Sequence, residues 1–187
     1  MRLYPSVPFN VRDCVTSITW PSPEPGKEPI YIPAGAKVPY SVFLMHRRTD
    51  LWGEDAEAFD PDRFLDEGMQ KYLLHNSFAF LPFNAGPRIC LGQQGAYNEM
   101  SFMLIRLLQA FSSFSLDEGA FAPGTLVPEE WKAAGGGTRK GTDRFRPKLH
   151  LTMYTSDGMW IRATEAGSVN SEMNMEEEGS VVIVEAA

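Results

Sequence analysis

Apolar positions keep a helical period through one long stretch and break into short runs elsewhere. Ala96, Met100, Met103, Leu104, Leu107, Leu108 and Phe111 recur at steps of three and four, while Asn98, Glu99, Arg106 and Gln109 fall off that stripe. The pattern predicts an amphipathic helix over residues 93–112. Residues 15–20 alternate weakly, as a strand does, and a Pro-rich stretch at 21–26 ends them. Ile30-Tyr31-Ile32 supplies a partner strand, Pro33-Ala34-Gly35 a tight turn, and residues 37–40 a further strand. Ser41 is placed to cap a short helix running towards His46. Near the end, residues 148–153 and 159–163 flank Thr155-Ser156-Asp157-Gly158, which predicts a hairpin.

Residues 117–147 lack either period and carry Pro123, Gly124, Pro128 and Gly135-Gly136-Gly137, so a loop-like insertion is expected. The net charge of −7 divides unevenly. Residues 163–187 hold six glutamates and no Lys or Arg, leaving 18 acids against 17 bases in the body. A disordered acidic tail is therefore expected at 163–187. The near-neutral body lacks the basic patch of a nucleic-acid binder. The chain's 187 residues suit one domain. No apolar run is long enough to cross a membrane, and no targeting segment opens the chain. Two cysteines, Cys14 and Cys90, make no disulfide framework.

Chemistry concentrates in Phe83-Asn84-Ala85-Gly86-Pro87-Arg88-Ile89-Cys90-Leu91-Gly92. Gly and Pro make this a sharply turning loop just ahead of the predicted helix. A thiol at a helix N-terminus meets unpaired N–H groups and the positive end of the helix dipole, conditions that suit a thiolate metal ligand. Gly86 and Gly92 let the backbone approach a flat ligand, Phe83 offers an aromatic face, and Arg88 a nearby cation. Taken alone, Cys90 would read as a small structural hydrophobe.

The spacing Phe83-x-x-Gly86-x-Arg88-x-Cys90-x-Gly92 resembles the haem-binding signature of the cytochrome P450 monooxygenases. Phe59-Asp60-Pro61-Asp62-Arg63-Phe64 resembles the family's F-x-P-x-R-F element, and His46-Arg47 with Trp52-Gly53 its H-R…W-G segment. Arg2-Leu3-Tyr4-Pro5 is similar to the end of its E-x-x-R helix. The 86–94 stretch with Asn98-Glu99 is similar to fungal alkane and fatty-acid hydroxylases. The resemblance covers residues 1–162 and implies the C-terminal portion of the family's mainly α fold with small β-sheets (α+β).

It further implies haem b with Cys90 as the axial thiolate, shielded by Phe83, with Gly92 near the sulfur and Gly86 in the cofactor loop. Arg88 is expected on one haem propionate and Arg12 on the other, an ordinary surface arginine being the alternative for Arg12. Arg2 and Arg63 match a structural cluster. Val7, Pro8, Phe9 and Val11, with Ser156 and Met159, match regions that face substrate, and packing is their alternative. His46 reads as a structural histidine, and Cys14 has no assigned role. The implied partners are a hydrophobic small molecule and an NADPH-dependent cytochrome P450 reductase. For a full-length relative the implied location is the endoplasmic reticulum membrane, held by an N-terminal anchor.

The glutamate of E-x-x-R has no counterpart before Arg2, and neither the anchor nor the oxygen-activating helix with its acid–threonine pair is expected in the chain. Two functional expectations follow: a monooxygenase inserting one oxygen atom of O2 into a hydrophobic substrate, or a truncated, non-catalytic fragment binding haem weakly or not at all. A haem-thiolate isomerase or peroxidase, independent of a reductase, is a third. One face of the helix over 96–111 is expected to stand exposed.

Overall fold

A computed structural model describes residues 1–133, 143–156, 158–167 and 181–184, the last four and Lys132 by their backbone alone. The chain forms two compact units, residues 1–56 with 61–82, and residues 57–60 with 83–187.

In the first unit, strand β1 (Phe9–Asp13) pairs antiparallel with β4 (Lys37–Ser41), and β2 (Ile18–Trp20) with β3 (Ile30–Ile32). The sequence suggests the last three strands but places Phe9 and Val11, with Val7 and Pro8, in a region expected to face substrate or to pack. The reason lies in the inverted alternation of β1: Phe9 and Val11 are exposed, whereas Asn10 and Arg12 are half-buried. Cys14 ties the two ladders together through its backbone, its N–H donating to Ala36 O (2.8 Å) and its carbonyl accepting from Gly35 N–H (2.7 Å). Gly35 sits at φ +80°, where a side chain would be strained.

Ser41 caps the single-turn helix α1 (Val42–Met45) as expected, its Oγ accepting from Leu44 N–H at 3.2 Å. Helix α2 (Thr49–Trp52) delivers Trp52 to the centre of the unit. From there to Pro82 the sequence suggests coil. The structure instead builds this unit's core there, from short turns at Pro61–Phe64, α3 (Asp66–Met69), Gln70–Leu74 and Ser77–Ala79. Trp52, Ala56 and Ala79 are buried, surrounded by Phe64, Tyr72, Leu73 and Phe80. Trp52 stacks on Tyr72 (5.7 Å between centroids, 24°) and meets Phe80 edge-on. These aromatics keep neither a 2-residue nor a 3.6-residue period, so no hydrophobic pattern announces them.

In the second unit, helix α4 spans Gln93–Ala110. It stops two residues before the expected end because Phe111 turns to extended geometry and opens strand β5 (Phe111–Leu116). As expected, the apolar side of α4 stands exposed: no α4 residue is buried, and Met103, Leu104 and Leu108 are each at least 55% accessible. Beyond β5, a short turn at Glu118–Ala120 and helix α5 (Glu129–Ala133) occupy part of the expected loop, where Phe121, Thr125 and Val127 are buried.

The expected hairpin is paired differently. Strand β6 (Pro147–Leu149) pairs with β7 (Met153–Thr155), whereas β8 (Met159–Glu165) lies between β5 and β9 (Val181–Val184). Of the Asp-Gly pair, Asp157 lies outside the described residues, and Gly158, at φ +79°, stands just before the strand of the other sheet. Contrary to the expected disorder, β8 runs to Glu165 and the short apolar stretch at 181–184 is a strand. The ladder to β8 pairs one edge of its backbone. The glutamate run at 176–178 lies outside the described residues. Among the described residues no helix is long and apolar enough to cross a membrane.

Candidate functional site

The cysteine loop is shaped by main-chain bonds. Cys90 N–H donates to Phe83 O at 2.9 Å and closes the loop into a ring of eight residues. Within it, Ile89 N–H donates to Gly86 O (3.1 Å), completing a 3-10 turn at Gly86–Arg88. Two residues take the left-handed conformation this path needs, Asn84 (φ +60°) and Gly86 (φ +65°). A Cβ on Gly86 would meet nothing within 4 Å, so backbone angle rather than crowding calls for glycine there. Past the ring, Cys90 O accepts from Gln93 N–H (3.3 Å) and Gly92 O from Ala96 N–H (2.9 Å), so the loop leads without a break into α4.

This arrangement turns the Cys90 side chain outward: the thiol is exposed and in no disulfide. A Cβ on Gly92 would lie 3.8 Å from Cys90 Sγ. Gly92, at φ −83°, does not need glycine for its backbone angle, and any side chain there would lean on the sulfur. Phe83 is half-buried and meets Tyr97 edge-to-face (5.1 Å, 68°), which fixes the ring at the base of the loop. Sequence reasoning missed Tyr97 because the stripe it counted runs through Ala96 and Met100. Arg88 is exposed on the same turn.

These features suit an iron macrocycle. The loop offers one exposed soft ligand, a glycine that puts no side chain against it, and open space over Gly86. Among the described residues no group of three or more His, Cys, Asp or Glu could hold a bare metal ion.

The other expected residues are distributed over both units. In the first, Arg12 is half-buried on β1, its Nη1 donating to Val11 O (3.0 Å) and its guanidinium 5.4 Å from the Tyr40 ring centre. Phe9 and Val11 share the exposed face of β1, beside half-buried Val7 and buried Pro8. In the second unit, Ser156 is buried, its N–H donating to Arg146 O (3.4 Å), and Met159 is half-buried at the start of β8.

Arg2 and Arg63 converge on one turn of the first unit. Arg2 Nη1 donates to His46 O (2.9 Å) and Ala56 O, with its guanidinium 5.1 Å from Trp52. Arg63 Nη1 donates to Trp52 O (2.7 Å), and Nη2 to Asp55 O (3.0 Å) and Asp55 Oδ2. That bond and the charge of Arg63 hold the Asp55 carboxyl below its ordinary range. His46 is fully buried and doubly hydrogen-bonded, as a structural histidine should be.

The cytochrome P450 family profile matches residues 1–123. Cytochrome P450 52A3-A of Candida maltosa is 35% identical over 165 residues, covering 87% of this chain and 27% of its own length. Cytochrome P450 52-M1 of Starmerella bombicola is 45% identical over 119 residues, 62% of this chain and 21% of the relative. Among solved structures, a retinoic acid-bound cyanobacterial CYP120A1 superposes with a TM-score of 0.63 at 25% identity, over 88% of this chain and 30% of its own. A cytochrome P450DA heme domain gives 0.62 at 23%, over 89% and 29%. The chain spans about a quarter of the curated relatives' length.

Proposed function

Because the chain belongs to the cytochrome P450 family, we propose that it carries the proximal side of a haem-thiolate monooxygenase site, with Cys90 as the iron ligand. The observation supporting this is the outward thiol of Cys90, held on a loop that its own amide closes onto Phe83. Haem bound through a cysteine thiolate supplies activation of dioxygen and insertion of one oxygen atom into a substrate. The chain's residues supply the setting. Cys90 would offer its sulfur as the electron-donating ligand, and its backbone bond to Phe83 holds that sulfur's attachment point. Gly92 keeps side-chain bulk away from the sulfur, while Phe83, fixed by Tyr97, excludes water at the loop's base. Arg88 and Arg12 furnish guanidiniums suited to the two propionates, since each can form paired, charge-assisted hydrogen bonds.

Electrons would come from an NADPH-dependent reductase. The substrate class we propose is a hydrophobic chain such as a fatty acid or alkane, in keeping with the apolar side chains Val7, Phe9, Val11 and Met159. The Cys90 assignment is tested by adding haem to the full chain and recording the reduced, CO-bound absorption spectrum. A red-shifted band typical of thiolate ligation is expected in the wild type and lost in Cys90→Ala. A band unchanged by that substitution overturns the assignment.

A further inference from the structure

His46 is a buried titratable group that the proposed chemistry does not use, and it occupies a junction. It caps the C-terminal end of α1, and its two ring nitrogens face opposite parts of the first unit. Nε2 lies 2.9 Å from Leu81 N, and Nδ1 3.1 Å from Arg2 O. A backbone N–H can only donate and a carbonyl can only accept. Both bonds therefore exist together only in the neutral ring with its proton on Nδ1. The ring is fully buried, tilted against Phe80 (5.2 Å) and edge-on to Trp52 (6.5 Å), so it has no room to turn away. Leu81 stands two residues before Phe83, whose carbonyl closes the cysteine loop. Its other chain neighbour, Pro82, has no N–H, so the amide of Leu81 is the last donor before the loop begins.

We infer that His46 is a positioning residue for the cysteine loop, its neutral ring pinning the chain at Leu81 where that loop departs. Gaining a second proton places an N–H on Nε2 against the Leu81 N–H, two donors face to face, and the pin opens. The charged groups around the ring all oppose that proton: the guanidiniums of Arg2 and Arg47 and the amino group of Met1. Burial acts in the same direction and more strongly. The neutral, pinning form thus persists well into mild acid before it fails.

The inference concerns the protein scaffold and is tested without haem, so it stands or falls apart from the assignment of Cys90. Amide hydrogen exchange is measured at Leu81 and Cys90 in the full chain and in two variants. The carboxamide oxygen of His46→Gln can take the place of Nε2, whereas His46→Asn can replace only Nδ1. Expected is near-native protection at both amides in His46→Gln. His46→Asn is expected to exchange about tenfold faster at Leu81 and also faster at Cys90. In the wild type, protection at both should fall between pH 7 and pH 4 beyond the intrinsic pH dependence. Should Leu81 lose protection while Cys90 keeps it, the pin does not position the loop and the inference is overturned. If neither variant folds, the wild-type ring decides: nitrogen chemical shifts showing the proton on Nε2 at pH 7 overturn it. After haem addition, a thiolate band weakened in His46→Asn and restored in His46→Gln extends the result to the ligand. Loss of the Cys90 assignment alone leaves the exchange result standing.

Discussion

Arg63 holds the first unit together by donating to two backbone carbonyls, that of the buried Trp52 and that of Asp55. Its side chain is fully buried, with Trp52 O at 2.7 Å and Asp55 O at 3.0 Å. Replacing it with Met keeps the apolar stem and removes the guanidinium. The Asp55 carboxylate, 62% exposed, returns to water at little cost. The Trp52 and Asp55 carbonyls lose charged donors, at roughly 1–3 kcal/mol for each acceptor left unsatisfied. Against this stands the relief of no longer burying a charge, which makes some buried ion pairs replaceable by apolar groups. Arg63 also lies 5.1 Å over the Tyr72 ring, a contact Met only partly replaces. The balance is a loss of about 2–4 kcal/mol for Arg63→Met. Arg63→Lys, with a single ammonium in place of the fork, falls between it and the wild type. The assay is urea unfolding followed by Trp52 fluorescence, with Trp20, Trp131 and Trp160 replaced by Phe. A midpoint in Arg63→Met equal to the wild type at unchanged slope refutes the reasoning. So does an Asp55→Asn variant as damaged as Arg63→Met, because the exposed carboxylate would then be the essential partner.

Other outcomes follow from single positions. Burial, reinforced by neighbouring positive charge, lowers the pKa of His46 from 6.5 to about 4. The unfolded chain therefore binds the proton more readily, and the His46 contribution to stability is complete above pH 6.5 and lost as the pH falls towards 4. At about 1.4 kcal/mol per pH unit the loss amounts to about 3 kcal/mol; His46→Gln should flatten that part of a stability–pH curve. Gly68 in α3 has no space for a side chain, since a Cβ would meet the Asp62 carbonyl oxygen and come within 2.7 Å of Arg63 Cα. Gly68→Ala should cost about 1–3 kcal/mol and lower the thermal midpoint. At Gly86 the strain is in the backbone, and Gly86→Ala should cost about 1 kcal/mol with no steric clash. Gly86→Asn, whose side chain better tolerates positive φ, should recover part of that loss in the same melt.

The two units differ in how plainly the sequence announces them. The cysteine loop could be read directly because its parts are contiguous: Phe83, Gly86, Arg88, Cys90 and Gly92 act within one turn of chain and one following helix. Helix α4 was equally plain, since its apolar stripe has the right period, although nothing in the stripe shows Phe111 leaving it for β5. The core around Trp52 was hidden because its rings come from turns of different kinds at irregular intervals. β1 was hidden for the opposite reason, a regular alternation whose apolar members face outward. The strand at 181–184 escaped because its stabilising partner, β8, is set by pairing between distant segments rather than by local composition. The Phe83–Tyr97 contact likewise depends on how a loop meets a helix, which residue spacing alone does not encode.

The bond from Cys90 N–H to Phe83 O separates two roles that many metal sites combine. The backbone of residue 90 closes the loop, while its side chain points away from the work of folding. Any residue other than proline can supply that N–H, so ligand identity at this position is decoupled from the architecture that presents it. Exchanging sulfur for a hydroxyl or an imidazole would change the chemistry offered at the loop's surface and leave its ring of eight residues closed. A fold built this way can explore new reactivity one side chain at a time.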